Sequence, residues 1–575
     1  MSQDTSSSWF GSLASLLQNP YIKYGVLASG LAASYFGAKT ASRVYNEYSE
    51  ENEKKEKERK IRFILDKLRE KYGTKSEDVF LDELLDTVNS IFYPTFGLSE
   101  RVPDGLANHV PMVLSALYQF KHSDHVQKPP ITLDVYLKNV EMSSQKLELL
   151  DTYLPQTDQA EILTNWERDK LQPLLSKINI GNIGSELGVS VSKLISTQLR
   201  QLFDSIFTGK PSTNRPDYLI YQRFMQHLIL LHAIKIKCQS NSNDSTLIIN
   251  TTTTSENSNV PTLTLSKHLS QEVFESILSD PIVLELFGGV SGGAFHPIIM
   301  LSYGVLQQFH TSTILTALGY AMYAYNSLAP NETVLREYVN SKEEDEAISK
   351  NQHFSMNQLL KNIEELYPEY FTERFRTESF KKANFLIHNL MNSLKDGLKP
   401  RHYAKICSFF YMNDQSRTTP SPRFTLKDFE RMALDMYLKG PVKFDIGTLH
   451  CITGCFAVRL LLPYIHDSNI QEQILYYLWE SFVCVYLLIG GSSQMRNELS
   501  LSGVKGDAVR DLYVPEWNEI LPQLQDDFDE HDIKLLYTAY EEAKNYPEWE
   551  IDFRKSAAKR VGLLKVIESD PESKP

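Results

Sequence analysis

Four histidines stand at or near the start of apolar runs with helical spacing. His109 precedes Pro111 and the run MVLSALYQF. His296 precedes Pro297 and IIMLSYGVL. His450 opens CITGCFAVRLLLPYI, and His531 opens IKLLYTAYEEA. An imidazole suits proton transfer near neutral pH and is also a common metal ligand. Pro297 fits a first helical turn, where its missing N–H costs nothing, and this predicts His296 at the helix cap. There the positive end of the helix dipole favours the neutral ring, which donates from one nitrogen and accepts at the other. The glycines of GGVSGGA, residues 288–294, let backbone approach a ligand or a neighbouring helix. Each histidine alone reads more simply as a cap or a core hydrogen-bonding group. Four in one kind of setting predict a shared pocket.

Other chemistry finds less support. Cys451 and Cys455 sit four apart beside His450, but no second pair completes a zinc site, so they read as small packing residues. A site of two histidines and a carboxylate suits iron by ligand type, yet no His-x-Asp/Glu pattern marks one, and no metal is assigned. The glycine-rich stretch lacks the Lys-Ser/Thr order of a phosphate loop. No dinucleotide fingerprint or Gly-x-Ser-x-Gly elbow is present.

The elements that must position these groups are helices. Leu81, Leu84, Leu85 and Val88 make one apolar face, Met112, Leu114, Leu117 and Tyr118 lie near another, and Leu219, Phe224, Leu228 and Leu231 continue the pattern. The fold class expected is all-α: a large multi-helix globular domain over residues 61–575. A chain of 575 residues with 42% hydrophobic content has ample material for its core. The polar tract 239–260 reads as a low-complexity surface loop, not a strand. A net charge of -13 excludes general nucleic-acid binding. The 5 cysteines, with no C-x-x-C pair, argue against a disulfide framework and for a reducing compartment.

Ahead of the domain, residues 1–20 read as a disordered N-terminus and 44–60 as a charged spacer. Between them, residues 21–43 are expected to form a transmembrane helix. Gly25 to Ala38 carries no charge and is flanked by Lys23, Lys39 and Arg43. A soluble helix or a targeting segment is the alternative. If the segment spans a membrane, the excess of Lys and Arg after it puts the body on the cytosolic side.

Taken together, NHVPMVLSAL, GGAFHPIIMLSYG, HCITGCFAVRLLLPY and DEHDIKLLYTAYEE resemble the questin oxidase-like family, in the family's order and over residues 85–560. The resemblance implies an oxidoreductase that inserts oxygen beside a carbonyl, a Baeyer–Villiger-type monooxygenation. It implies NADPH as cofactor and a hydrophobic or aromatic small molecule as partner; no flavin or haem motif is found. His109, His296, His450, His531 and Tyr303 are then the candidate catalytic residues, and Met300, Arg459 and Met112 the candidates for substrate contact. The family stretch commonly reads close to HPLIHLGYALE. Here Met300 replaces its second histidine, Ser302 a glycine and Leu306 a glutamate. These departures keep open a second reading, a lapsed enzyme that binds a hydrophobic ligand or serves as a membrane-anchored scaffold.

Overall fold

Apolar residues recurring every three to four positions turn most of the chain into helix. The structure, a computed structural model, describes residues 55–71, 76–96, 108–121, 133–144, 147–149, 158–175, 186–210, 216–240, 247–253, 259–330, 355–383, 387–412, 421–495, 512–523 and 529–566. The described residues are predominantly helical, which bears out the all-α class. The segment 21–43 expected to span a membrane lies outside the described residues. The chain divides into two compact units, Met1–Lys71 and Tyr72–Pro575. In the first, residues 55–71 are helical, with i,i+3 ion pairs such as Lys67–Glu70 at 2.7 Å.

In the second unit four helices form a closed ring: α2 (Val110–Lys121), α4 (His296–Leu306), α7 (Asp445–Leu461) and α9 (Glu530–Asn545). Each packs on the next, α2 on α4, α4 on α7, α7 on α9, and α9 back on α2. All four helices are rich in buried apolar residues, with Met112, Leu114, Met300, Leu449 and Leu535 at 0% exposure. Further helices brace the ring. α1 (Glu77–Ile91) lies against α2, and α5 (Thr311–Tyr323) against α4, with α3 (Pro216–Ser240) behind α5. α6 (Leu426–Lys439) and α8 (Ser468–Ile489) support α7, and α10 (Glu550–Arg560) supports α9.

Two stretches, Asp445–Tyr464 and Ser468–Ile489, are long and apolar enough to cross a membrane. They are 67% and 78% buried within the protein, as expected of core helices.

The tract read as a loop is corrected in part. β1 (Leu247–Thr253) pairs antiparallel with β2 (Asn259–Leu265), with Leu247 opposite Leu265 and Thr253 opposite Asn259. Its Thr and Ile content favours strand, and β2 continues past residue 260, where the loop was expected to end.

Candidate metal centre

The starts of α2, α4 and α9 meet at one end of the ring. His109 immediately precedes α2, His296 is the first residue of α4, His531 is the second of α9, and His450 lies further along α7. All four are buried, between 1% and 6% exposed. Ring centroids are 4.6 Å apart for His109–His296, 4.4 Å for His296–His450 and 4.5 Å for His109–His531. One nitrogen from each ring lies within 4.8 Å of the other three. The expected convergence is therefore present, across sequence gaps of 187 and 154 residues for the first three histidines.

Each ring is aimed by what its Nδ1 meets. His109 Nδ1 lies 2.8 Å from Glu530 Oε2, and His531 Nδ1 lies 2.6 Å from Asp529 Oδ1. His450 Nδ1 is 2.6 Å from the Ile446 carbonyl, and His296 Nδ1 meets the Gly293 carbonyl. All four partners are acceptors, so every Nδ1 carries the proton and every Nε2 presents a lone pair. Yet His109 Nε2 stands 2.6 Å and His450 Nε2 3.0 Å from His296 Nε2. Lone pairs so close repel unless a cation lies among them. His531 Nε2 is buried and has no hydrogen-bond partner among the described residues. Converging neutral Nε2 atoms, each with its opposite nitrogen held by an oxygen, are the donor set of a metal ion. The residues fit one.

Local sequence explains the aim. Asp529 caps α9, accepting from the His531 backbone N–H at 2.9 Å, and Asp532 closes the capping box. Before α4 the chain makes a tight turn, with Gly293, Ala294 and Phe295 all in the left-handed region at φ 55°, 55° and 66°. Two consecutive non-glycine residues there are strained, and the turn presents the Gly293 carbonyl to His296. Phe295, not His296 as expected, therefore occupies the cap. The glycines serve a neighbouring helix. A Cβ on Gly292 would overlap the Ala324 carbonyl, and one on Gly293 would stand 2.6 Å from the Tyr320 hydroxyl.

Electrostatics keeps the rings uncharged. Burial first, then the charge of Lys534 or neighbouring rings, holds His109, His296 and His450 well below their ordinary range. His531 is lowered to about 4 for the same leading reason. Lys534 is at 0% exposure, with Nζ 3.5 Å from His296 Nε2, and burial lowers it to about 7.

Other expected residues fall elsewhere. Met300, one turn beyond His296, and Met112 are at 0% exposure within the ring. Tyr303 is buried, its hydroxyl beside Thr538 of α9, about 10 Å along α4 from His296. Arg459 is not at the cluster; its Nε donates to Glu542 Oε1 at 2.8 Å. An apolar crevice of about 30 Å³ lies beside α4, lined by Val283, Leu286, Phe287, Pro297, Ile298 and Leu301. Sequence reasoning missed Asp529, Glu530 and Lys534, although all flank His531 in DEHDIK.

Comparison with protein families decides the lineage. The questin oxidase-like family model matches residues 261–539. Over that span the chain matches the questin oxidase-like family. The match takes in His296, His450 and His531 and begins beyond His109, so it is shorter than the 85–560 resemblance. No curated protein matches the chain. At family level, the questin oxidase-like match points to an oxidoreductase.

Proposed function

We propose that the chain is a metal-dependent oxidoreductase that uses dioxygen to oxygenate an aromatic or other hydrophobic carbonyl compound. The observation that carries this is the convergence of four Nε2 lone pairs whose Nδ1 atoms are all engaged by oxygen acceptors. Imidazole suits iron, copper, nickel and zinc, and oxidoreductase chemistry favours a redox-active ion, of which iron(II) is the one to test first. Bound there, it supplies electron exchange with dioxygen and polarises a carbonyl.

The protein's own part is positioning and proton control. Asp529, Glu530 and the two carbonyls fix the rings. Met300 gives the buried interior one turn beyond His296 a soft, proton-free wall. Lys534, titrating near neutral pH beside His296, is placed to give or take a proton. In the Baeyer–Villiger form of the reaction a carbon–carbon bond beside the carbonyl breaks and two carbon–oxygen bonds hold the inserted atom. The other oxygen atom leaves as water. NADPH supplies a hydride, and solvent supplies one proton.

The lapsed-enzyme reading rests on Met300 and Leu306, and the intact histidine set weighs against it. The test is to load the full-length protein with iron(II), add NADPH and anthraquinone-type ketones, and follow oxygen-18 from the gas into product. Labelled ester supports the proposal. Ligand binding without oxygen uptake supports the lapsed reading.

A further inference from the structure

The buried face of α9 carries polar groups where apolar ones would be more stable. His531, Lys534, Thr538 and Glu542 follow at helical spacing, at 6%, 0%, 0% and 1% exposure. Burying such groups incompletely paired works against the fold, so the stripe calls for a functional account. Its far end lies about 16 Å along the helix from His531. There Glu542 Oε1 accepts from Arg459 Nε at 2.8 Å, while Oε2 has no hydrogen-bond partner among the described residues.

Glu430 on α6 is 4% exposed, with the Tyr546 hydroxyl as the hydrogen-bonding neighbour of its carboxyl. The Glu542 carboxyl is near enough to disfavour ionisation of Glu430. Arg459, Lys427, Tyr546, Glu541, Tyr537 and Cys455 complete the charged and titratable surroundings. Arg459 is the cation in direct contact with Glu542, so charge balances best when the two carboxyls share one proton. Burial is the leading cause that raises Glu430 to about 8 and Glu542 to about 7. Thr538 Oγ1, one turn nearer the histidines, is also buried, with the Tyr303 hydroxyl beside it.

We propose that Glu430 and Glu542, held by Arg459, store a proton for the four-histidine centre and pass it along the face of α9 that carries Thr538. The proposal rests on the metal-centre reading. Successive groups on the stripe are about 5–6 Å apart, a gap that one bridging water closes. The half-buried Tyr546, whose hydroxyl neighbours Glu430, is the route by which solvent restores the proton. In the simplest reaction, with iron held by the four histidines, dioxygen would be reduced to hydrogen peroxide by two electrons from ascorbate, which becomes dehydroascorbate. Of the two protons needed, ascorbate would give one and the carboxyl pair the other.

Two measurements on the full-length protein test this. Infrared spectra of the metal-free Glu480→Gln protein, which lacks the other buried carboxyl raised to about 8, should show at neutral pH the carbonyl stretch of a protonated carboxylic acid, lost when Glu430→Gln/Glu542→Gln is added. Absence of that band from the Glu480→Gln protein overturns the proposal. In iron-loaded protein with ascorbate, peroxide formation should slow about 100-fold in either single Gln variant and in Thr538→Val, with iron affinity held. The wild-type rate should fall above about pH 8, where the pair is empty, and Gln should remove that limb. A rate and pH profile unchanged by Gln overturn the store. A chain that binds no iron overturns both readings, and metal analysis reports this before any rate is measured.

Discussion

In the proposed metal centre the four histidines would bind only as well as their Nδ1 partners aim them. Asp529 has two roles, capping α9 and orienting His531, and one substitution separates them. Asn caps a helix about as well as Asp but presents no charge to the ring. Asp529→Asn should therefore leave the melting temperature nearly unchanged and weaken iron binding by about 10- to 100-fold, read by competition with a chelator. Glu530→Gln should do the same through His109. Equal affinity in both variants would mean that these carboxylates do not tune a metal.

At the scale of elements, α7 and the turn before α4 are fitted to each other. A Cβ on Gly454 would stand 3.1 Å from the Phe295 ring, and Phe295 is the strained residue that starts α4. Gly454→Ala should cost about 1–3 kcal/mol in a denaturant titration and loosen iron binding as His296 shifts. On α8, Glu480 is 1% exposed, and burial raises it to about 8. The folded state holds this proton while the unfolded chain, with an ordinary carboxylate near 4.3, releases it. Its stabilising contribution is then full below about 4.3 and is lost as pH rises to about 8. Glu480→Gln should flatten the fall in melting temperature between pH 5 and about 8; an unchanged slope would assign it to other groups. Helices such as α2, α4 and α9 were legible in the sequence because apolar spacing is local, and so was the placing of a histidine at each start. The convergence was not, since packing over gaps of 187 and 154 residues decides it. Arg459 was assigned to substrate because its ion-pair partner Glu542 is only met through tertiary contact.

For the whole molecule, the family match and the ring do not coincide. Residues 261–539 supply α4, α7 and most of α9, while α2 and His109 come from outside. A fragment limited to 261–539 should expose the apolar faces that α2 covers. It should then be less soluble and hold iron more weakly than the full chain; equal behaviour would make α2 dispensable. The most direct test of the account is the metal content of the purified full-length protein after iron(II) loading, compared with His296→Ala. The account predicts a single tightly held iron ion per chain in the wild type and its loss in the variant, with helix content preserved. A wild type that retains no transition metal, or a variant that holds iron as tightly, would contradict it.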